Sequence, residues 1–319
     1  MNQSLVSIVI PTHNRKLMLR RLLESISESK YKNIEIIIVD DASADGTAEF
    51  IKEKFKKNKN IRIFRNKNNL YTAGSRNEGF KHAKGEYVFF IDDDNVLDKN
   101  AISNFVSLFS QDLSIGELGP VNYSYARKQK VLWARTKRNM LTTKTDQSRS
   151  LSEFGNLNNW DTDDIPNAFI IRSSIVKKYK IFFKEKYGIM YEESDYAYRI
   201  RKKGYKIKVV KQAKIYHDID SFEPGKKNKD YLFHFMDDKR RPFVFARNRI
   251  IFHSRYSTKI QNFFILFFWV WLFALYYSYK LVFYNGYGEF SFKNRLEAAL
   301  SYLKGTVNGI ELVFNNESF

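Results

Sequence analysis

The most informative run of this chain is Tyr87-Val88-Phe89-Phe90-Ile91-Asp92-Asp93-Asp94-Asn95, in which five apolar residues lead directly into three carboxylates. A strand that is covered on both faces has a continuous apolar sequence of this kind. Successive strand residues point to opposite sides, so Asp92 and Asp94 can share one side while Asp93 takes the other. Two carboxylates on one side suit a hard divalent cation such as Mg²⁺ or Mn²⁺. The alternative is an acidic turn that begins the next helix.

Short apolar runs alternate with helical patterns before and up to this run. The predicted strands are Leu5–Ile10, Ile34–Val39, Ile61–Phe64 and Tyr87–Ile91, and helices are predicted near 15–29, 48–55 and 72–83. This alternation predicts an α/β fold, with a Rossmann-like, mostly parallel sheet flanked by helices. Ligands of such sheets bind at the carboxyl ends of the strands. The polar residues at those ends, which we expect to form one crevice, are Thr12, His13, Asn14, Asp40, Asp41 and Asp92 to Asp94.

The composition is strongly basic. Lys and Arg number 54 against 35 Asp and Glu, which gives a formal net charge of +19. Such a chain attracts polyanions, whether nucleic acid, anionic lipid or a phosphorylated substrate. The basic residues are scattered and no nucleic-acid-binding motif is recognisable, so we expect no nucleic-acid partner. The chain has no cysteine, which excludes disulfides and thiolate metal sites.

Four segments carry a resemblance to a known family. They are Ser7 to Arg15 (SIVIPTHNR), Ile38 to Thr47 (IVDDASADGT), Gly74 to Gly79 (GSRNEG) and Ile91 to Asp94 (IDDD). In this order they resemble the family 2 glycosyltransferases of the GT-A fold, over roughly residues 4 to 215. The resemblance implies transfer of a sugar with inversion, from a UDP-, GDP- or dTDP-sugar to an acceptor hydroxyl, assisted by Mg²⁺ or Mn²⁺. We expect a GT-A domain over 1–235 and a basic and hydrophobic, membrane-associated helical region over 236–319.

The donor side of the site is predicted at the strand ends. The predicted donor-binding residues are Pro11, Thr12, His13, Asn14, Asp41, Arg76, Asn77, Asp92 and Asp93, and the predicted metal ligands are Asp92, Asp94 and His217. Asp41 can accept a hydrogen bond from a base N–H, and Arg76 and Asn77 stand at a helix start, where N–H groups and a guanidinium meet phosphate. In the alternative interpretations Asp40-Asp41 is only a turn, Arg76 is a solvated charge and His217 is structural.

The acceptor side is predicted further along the chain. Residues 163–172 resemble the family's segment that places acceptor and sugar. The run Tyr191-Glu192-Glu193-Ser194-Asp195 resembles the family's Glu-Asp motif, whose second acid is the general base, and here the second acid is Glu193. An inverting reaction needs one carboxylate to take the acceptor proton. We therefore predict Glu193 as the base, with Glu192 and Asp195 as supports; the alternative is that all three cap the helix.

The chain carries one long uncharged stretch, Asn262 to Tyr279, between Lys259 and Lys280. A membrane-spanning helix needs about 20 residues, so residues 262–283 are a candidate transmembrane helix. An in-plane membrane helix and a buried hairpin arm are the alternatives. Basic residues are denser before the stretch than after it, which predicts that the amino-terminal domain lies on the cytoplasmic face. We expect a membrane-associated enzyme whose acceptor is a lipid-linked or cell-surface glycan.

Two other function classes remain open from the sequence. A catalytically silent nucleotide-sugar-binding subunit would share every donor motif, and a basic nucleic-acid-binding protein would share the net charge. Loss of activity on replacement of Glu193 argues against the first, and strong salt-dependent binding to DNA or RNA favours the second. The sequence carries no signal for the particular sugar or for the oligomeric state.

Overall fold

The computed structural model describes residues 3–56, 58–218, 232, 234–238, 240–284 and 290–315. The chain divides into two compact units. The first is assigned Met1–Lys137, Gln147–Glu185 and Glu193–Pro224, and the second Arg138–Asp146, Lys186–Glu192 and Gly225–Phe319.

The first unit is organised by a ten-stranded sheet. The strands of the chain are β1 (Val6–Thr12), β2 (Ile34–Asp40), β3 (Ile61–Arg65), β4 (Tyr87–Ile91), β5 (Asn95–Leu97), β6 (Ile115–Ser124), β7 (Val131–Trp133), β8 (Arg135–Arg138), β9 (Thr145–Ser148), β10 (Asn159–Asp161), β11 (Ala168–Arg172) and β12 (Lys206–His217). The sheet order is β10-β12-β6-β11-β4-β1-β2-β3, with β5 added to β12 and β7 to β6, while β8 and β9 form a separate pair.

The predicted α/β fold with a mostly parallel sheet is confirmed. β1 pairs in parallel with β2 and β4, and β2 pairs in parallel with β3. β11 runs antiparallel between β4 and β6, so the chain reverses direction beside the central strands. The register sets Thr12 opposite Asp40, and Asp92 follows directly on β4. The polar ends of β1, β2 and β4 therefore lie along one edge of the sheet, as expected from the parallel arrangement.

Helices cover the sheet and make up most of the second unit. Those of the chain are α1 (Lys16–Ser27), α2 (Thr47–Phe55), α3 (Tyr71–His82), α4 (Ala101–Gln111), α5 (Ser173–Tyr179), α6 (Glu192–Arg201), α7 (His234–Asp237), α8 (Arg240–Tyr256), α9 (Lys259–Phe264), α10 (Val270–Phe283) and α11 (Phe292–Phe314). Each face of the sheet has its own apolar core. Phe89 of β4 packs with Phe105 on one face, and Phe90 packs with Phe183 and Tyr196 on the other. This alternation explains why the whole of β4 is apolar.

The second unit is a bundle of helices. α8 and α11 approach closely, because a Cβ atom at Gly305 would lie only 2.1 Å from the carbonyl oxygen of Phe243. A π-helical turn, Ile265–Trp269, joins α9 to α10. Within the described residues, one helical segment, Lys259–Phe283, is long and apolar enough to cross a membrane. It contains the whole of the uncharged stretch Asn262 to Tyr279.

Candidate active site

Asp93 is held by two neighbours from the end of β1. The Thr12 hydroxyl donates to Oδ2 of Asp93 at 2.7 Å, and the Arg15 guanidinium donates to its Oδ1 at 3.0 Å. Arg15 also donates to Oδ2 of Asp94 at 3.1 Å. Burial raises the pKa of Asp93 to about 7, against the opposing effect of Arg15. Both carboxylate oxygens of Asp93 thus have protein partners, and this residue ties β1 to the end of β4.

Asp94 and His217 form a pair at the crevice. β12 runs antiparallel to β5 and places His217 opposite Asn95, so that His217 Nε2 lies 3.4 Å from Oδ1 of Asp94. Burial acts against the charged form of both groups, yet the hydrogen bond between them lowers the pKa of Asp94 and raises that of His217. The Asn167 amide lies 3.3 Å from His217 Nδ1, which fixes the ring from its other side.

The described residues offer an incomplete ligand set for a metal ion. None of their His, Asp and Glu side chains form a group of three or more that could hold one. Asp94 and His217 supply one oxygen and one nitrogen side by side, whereas Asp92 directs Oδ1 to Arg76. Mg²⁺ is often bound by one or two carboxylates together with substrate phosphates and water. The donor set fits a divalent cation to that extent, with the diphosphate of a donor as the remaining source of ligands.

Arg76 lies in the interior of the site. Its side chain is 0% exposed, and Nη2 donates to Oδ1 of Asp92 at 2.8 Å and to Oε1 of Glu193 at 2.7 Å. The Asn167 backbone N–H donates to the same Oε1 at 3.1 Å. Burial raises the pKa of Glu193 to about 7, although Arg76 opposes the shift. The structure thus brings the predicted base together with Arg76 and Asp92, and it leaves no part of the Arg76 side chain exposed.

Asn77 and Asp41 organise loops around the site. The Asn77 amide donates to the carbonyl oxygen of Phe183 at 2.9 Å and accepts from the Phe183 N–H at 2.8 Å. Oδ1 of Asp41 accepts from the Asn66 amide and from the Leu70 N–H, each at 2.8 Å. Both side chains are buried. Their described bonds are to the protein itself, so they shape the walls of the crevice.

The residues after β1 form an exposed rim. Pro11 and Thr12 are buried at the end of the strand, whereas His13 and Asn14 are exposed. Asn14 adopts a left-handed φ of 54°, its side-chain Oδ1 accepts from the Ala44 N–H at 2.7 Å, and its backbone N–H donates to Oγ of Ser43 at 2.9 Å. These contacts join the loops that follow β1 and β2, which leaves the polar atoms of His13 and Asn14 near solvent.

The sequence analysis assigned no role to two charged side chains of this region. Arg15, which contacts both Asp93 and Asp94, was assigned no side-chain role. Glu117 lies within β6 and is 1% exposed, and burial raises its pKa well above the ordinary value, with the charges of Asp164 and Glu193 adding to the shift. The available signal was a carboxylate flanked by glycine and apolar residues, Ile115-Gly116-Glu117-Leu118. Asp195, by contrast, pairs with Arg199 on its own helix at 2.7 Å.

Comparison with known proteins agrees with this geometry. Residues 7–201, more than half of the chain, match the family model described as "Glycosyl transferase family 2". The chain therefore belongs to the family 2 glycosyltransferases. A solved structure, "Mannosyltransferase PcManGT from Pyrobaculum calidifontis in complex with GDP-Man and Mn2+", covers 95% of this chain and 88% of its own, with a TM-score of 0.59 and 14% identity. This likeness bears on the fold, and the predicted GT-A fold is confirmed.

Two curated relatives each match about a third of the chain. The chain is 44% identical over 102 residues to "UDP-Glc:alpha-D-GlcNAc-diphosphoundecaprenol beta-1,3-glucosyltransferase WfaP" of Escherichia coli. This match covers 31% of this chain and 39% of the relative. The chain is also 35% identical over 102 residues to "GalNAc(5)-diNAcBac-PP-undecaprenol beta-1,3-glucosyltransferase" of Campylobacter jejuni subsp. jejuni serotype O:2. This match covers 32% of this chain and 33% of the relative. The matched region thus spans well under half of either relative.

Proposed function

We propose that this chain transfers a sugar from a nucleoside diphosphate to an acceptor hydroxyl with inversion at the anomeric carbon. The observation that carries the proposal is the buried cluster of Arg76, Asp92 and Glu193 beside the Asp94–His217 pair at the carboxyl edge of the sheet. It combines a carboxylate able to take a proton with a polar pair that can meet a diphosphate. Family membership supports the same reaction class.

Glu193 is the proposed base. Arg76 and the Asn167 N–H both donate to Oε1 of Glu193. The Glu193 side chain is 19% exposed, and we propose that Oε2 faces the acceptor. In the proposed step the acceptor oxygen bonds to the anomeric carbon, its proton passes to Glu193, and the bond to the diphosphate breaks. A base is most effective when its pKa is close to the working pH, and the pKa of Glu193 is about 7.

Asp94 and His217 are the proposed residues for holding Mg²⁺ or Mn²⁺ with the donor diphosphate. When bound, the ion would supply positive charge to the departing nucleoside diphosphate. Arg15 lies against Asp94, with 35% of its side chain exposed, where it can meet a diphosphate. Arg76, which is wholly buried, acts in this proposal by fixing Asp92 and Glu193. Asp93 acts through Thr12 and Arg15, by closing β1 onto β4.

The nucleoside is proposed to lie along the rim formed by residues 11–14 and the loop that Asp41 organises. The rim is exposed and polar at His13 and Asn14, as a base and ribose require. The donor is a UDP-, GDP- or dTDP-sugar. The two bacterial relatives are named for undecaprenol-diphosphate substrates, which supports a lipid-linked or cell-surface glycan as acceptor here.

We also propose that the chain is membrane-associated, with the GT-A domain of residues 1–235 on the cytoplasmic face. Large side chains spaced four residues apart on the Lys259–Phe283 helical segment are exposed: Phe263, Phe267, Trp271, Leu275 and Tyr279. The other side of the same segment is buried at Ile265, Leu266, Val270 and Ala274. An exposed apolar stripe on a helix that is packed along its opposite side favours attachment in the plane of the membrane over a free span.

A donor panel tests the function. Wild-type protein and Asp94→Ala are compared for binding and consumption of nucleotide-sugars, with Mn²⁺, with Mg²⁺ and with chelator. We expect metal-dependent use of one donor by the wild type and loss of that use in the variant. Binding without transfer to any acceptor, unchanged by Glu193→Gln, would support a catalytically silent subunit. Failure to bind any donor under any metal condition would overturn the proposal.

A further inference from the structure

The turn that precedes the proposed base has an uncommon backbone. Gly188, Met190 and Tyr191 all adopt left-handed φ angles, of 68°, 65° and 69°. Residues other than glycine rarely adopt left-handed φ angles, so Met190 and Tyr191 need surrounding contacts to hold this conformation. The chain continues from Tyr191 directly into α6, whose second residue is Glu193. The conformation of this turn therefore decides where the helix that carries the base begins.

Asn248 of α8 provides those contacts. Its side chain is 0% exposed, and Nδ2 donates to three carbonyl oxygens of the turn, those of Tyr187 at 2.9 Å, Ile189 at 3.0 Å and Met190 at 2.9 Å. Buried carbonyl groups that lack a donor are costly, which ties the turn to this amide. No apolar residue of similar size could replace it, because only an N–H group satisfies these oxygens.

Arg247 sets the orientation of that amide. Its Nε donates to Oδ1 of Asn248 at 3.0 Å, so the NH₂ group of Asn248 faces the turn. Its Nη2 donates to the carbonyl oxygen of Lys186 at 2.9 Å. Tyr187 is wholly buried and packs with Ile251 of α8. Two successive residues of α8 thus hold four carbonyl oxygens of one short turn.

We propose that Asn248 is a positioning residue for the base: by fixing residues 186–191 it sets the start of α6 and hence the place of Glu193 beside Arg76 and Asn167. The proposal rests on the proposed function. Misplacement of a reacting group by about 1 Å can cost about 100-fold in rate. If the turn relaxes when the Asn248 amide is removed, the base would shift by such an amount. The residues that contact the nucleotide-sugar would not change.

The test is Asn248→Ala in the full chain, measured by steady-state transfer. We expect kcat to fall by about 10- to 100-fold while KM for the donor stays within about threefold, since the nucleoside rim is untouched. The acid limb of the pH profile should also move, because Glu193 would lose its fixed distance from Arg76. Ser257→Ala is the matched control: it too removes a side-chain hydrogen bond to a carbonyl oxygen of the second unit, that of Met140 at 3.0 Å.

Hydrogen exchange gives a second readout that needs no activity. Amides of residues 186–195 should exchange faster in Asn248→Ala than in the wild type and in Ser257→Ala. If the alanine variant fails to fold, Asn248→Asp keeps the shape and removes the donor, and the same results are expected. A wild type that transfers no sugar would overturn the proposed function. Unchanged kcat and pH profile in an active protein, or unchanged exchange of this segment, would overturn the role of Asn248.

Discussion

Two arginines neutralise the carboxylates of this site, and they differ in exposure. Arg15 lies at the rim, with 35% of its side chain exposed, and contacts Asp93 and Asp94. Arg76 is wholly buried and contacts Asp92 and Glu193. Water screens an ion pair whose arginine is partly exposed, whereas the loss of a wholly buried arginine removes a cation that water cannot replace. In the proposed function, the rim arginine can therefore exchange partners with an incoming diphosphate, and the buried one holds Asp92 and Glu193 in place.

The largest effect is expected at the buried arginine. Arg76→Met would leave the partly buried Asp92 and Glu193 without the cation that both contact, so we expect the free energy of unfolding to fall by about 3–5 kcal/mol. Transfer should fall by at least about 100-fold, because the base loses its orientation. Urea unfolding and initial rates measure the two effects. Arg15→Met is the matched control, and equal destabilisation by both substitutions would contradict the distinction between the two arginines.

The pH dependence of transfer probes the same buried cluster. Burial raises the pKa of Glu193 to about 7, and only its deprotonated form can accept the acceptor proton. We therefore expect kcat/KM to be level above pH ~7 and to fall about tenfold for each pH unit below it. The pH-rate profile with saturating metal measures this. An activity that stays constant down to pH ~5 would show that the base is a carboxylate of ordinary pKa.

The smallest effect is expected at the rim. Arg15→Met should raise KM for the donor by about tenfold, the amount that corresponds to one hydrogen bond between charged groups. Stability should fall by about 1–2 kcal/mol, less than for Arg76→Met, because the buried Asp93 keeps its bond from Thr12 and Asp94 keeps its pairing with His217. Donor titration measures the first and thermal unfolding the second. Arg20→Met, which breaks an exposed pair with Glu24 on α1, is the control and should leave KM unchanged.

The strand ends could be predicted from sequence because their signals are local. The apolar run of β4 and the aspartates that follow it are contiguous, and the parallel order of β1, β2 and β4 follows from the alternation of strands with helices. The Asp94–His217 pair is less local, since His217 reaches Asp94 only through the pairing of β12 with β5. His217 was predicted as a metal ligand from the resemblance to the family, because its spacing along the chain gives no such signal.

The partners of Arg76 could not be predicted in this way. Arg76 follows a helix start and looked like a residue for phosphate. Gly79 instead lets α3 approach the sheet, since a Cβ atom there would lie 2.3 Å from Cγ1 of Val9, and Arg76 is drawn into the interior. Its partner Glu193 lies 117 positions further along the chain. Tertiary packing decides both the burial of Arg76 and its pairing with Glu193, and neither can be predicted from the local hydrophobic pattern.

The most direct test of the account is donor binding and sugar transfer by Glu193→Gln. The amide keeps an oxygen that can accept from Arg76 and Asn167, but it cannot take a proton. We predict donor affinity within about threefold of wild type and a kcat lower by about 100- to 10,000-fold. Asp195→Asn, on the same helix, should retain most of the rate, because Asp195 pairs with Arg199. A Glu193→Gln protein that transfers sugar at the wild-type rate would contradict the assignment of the base.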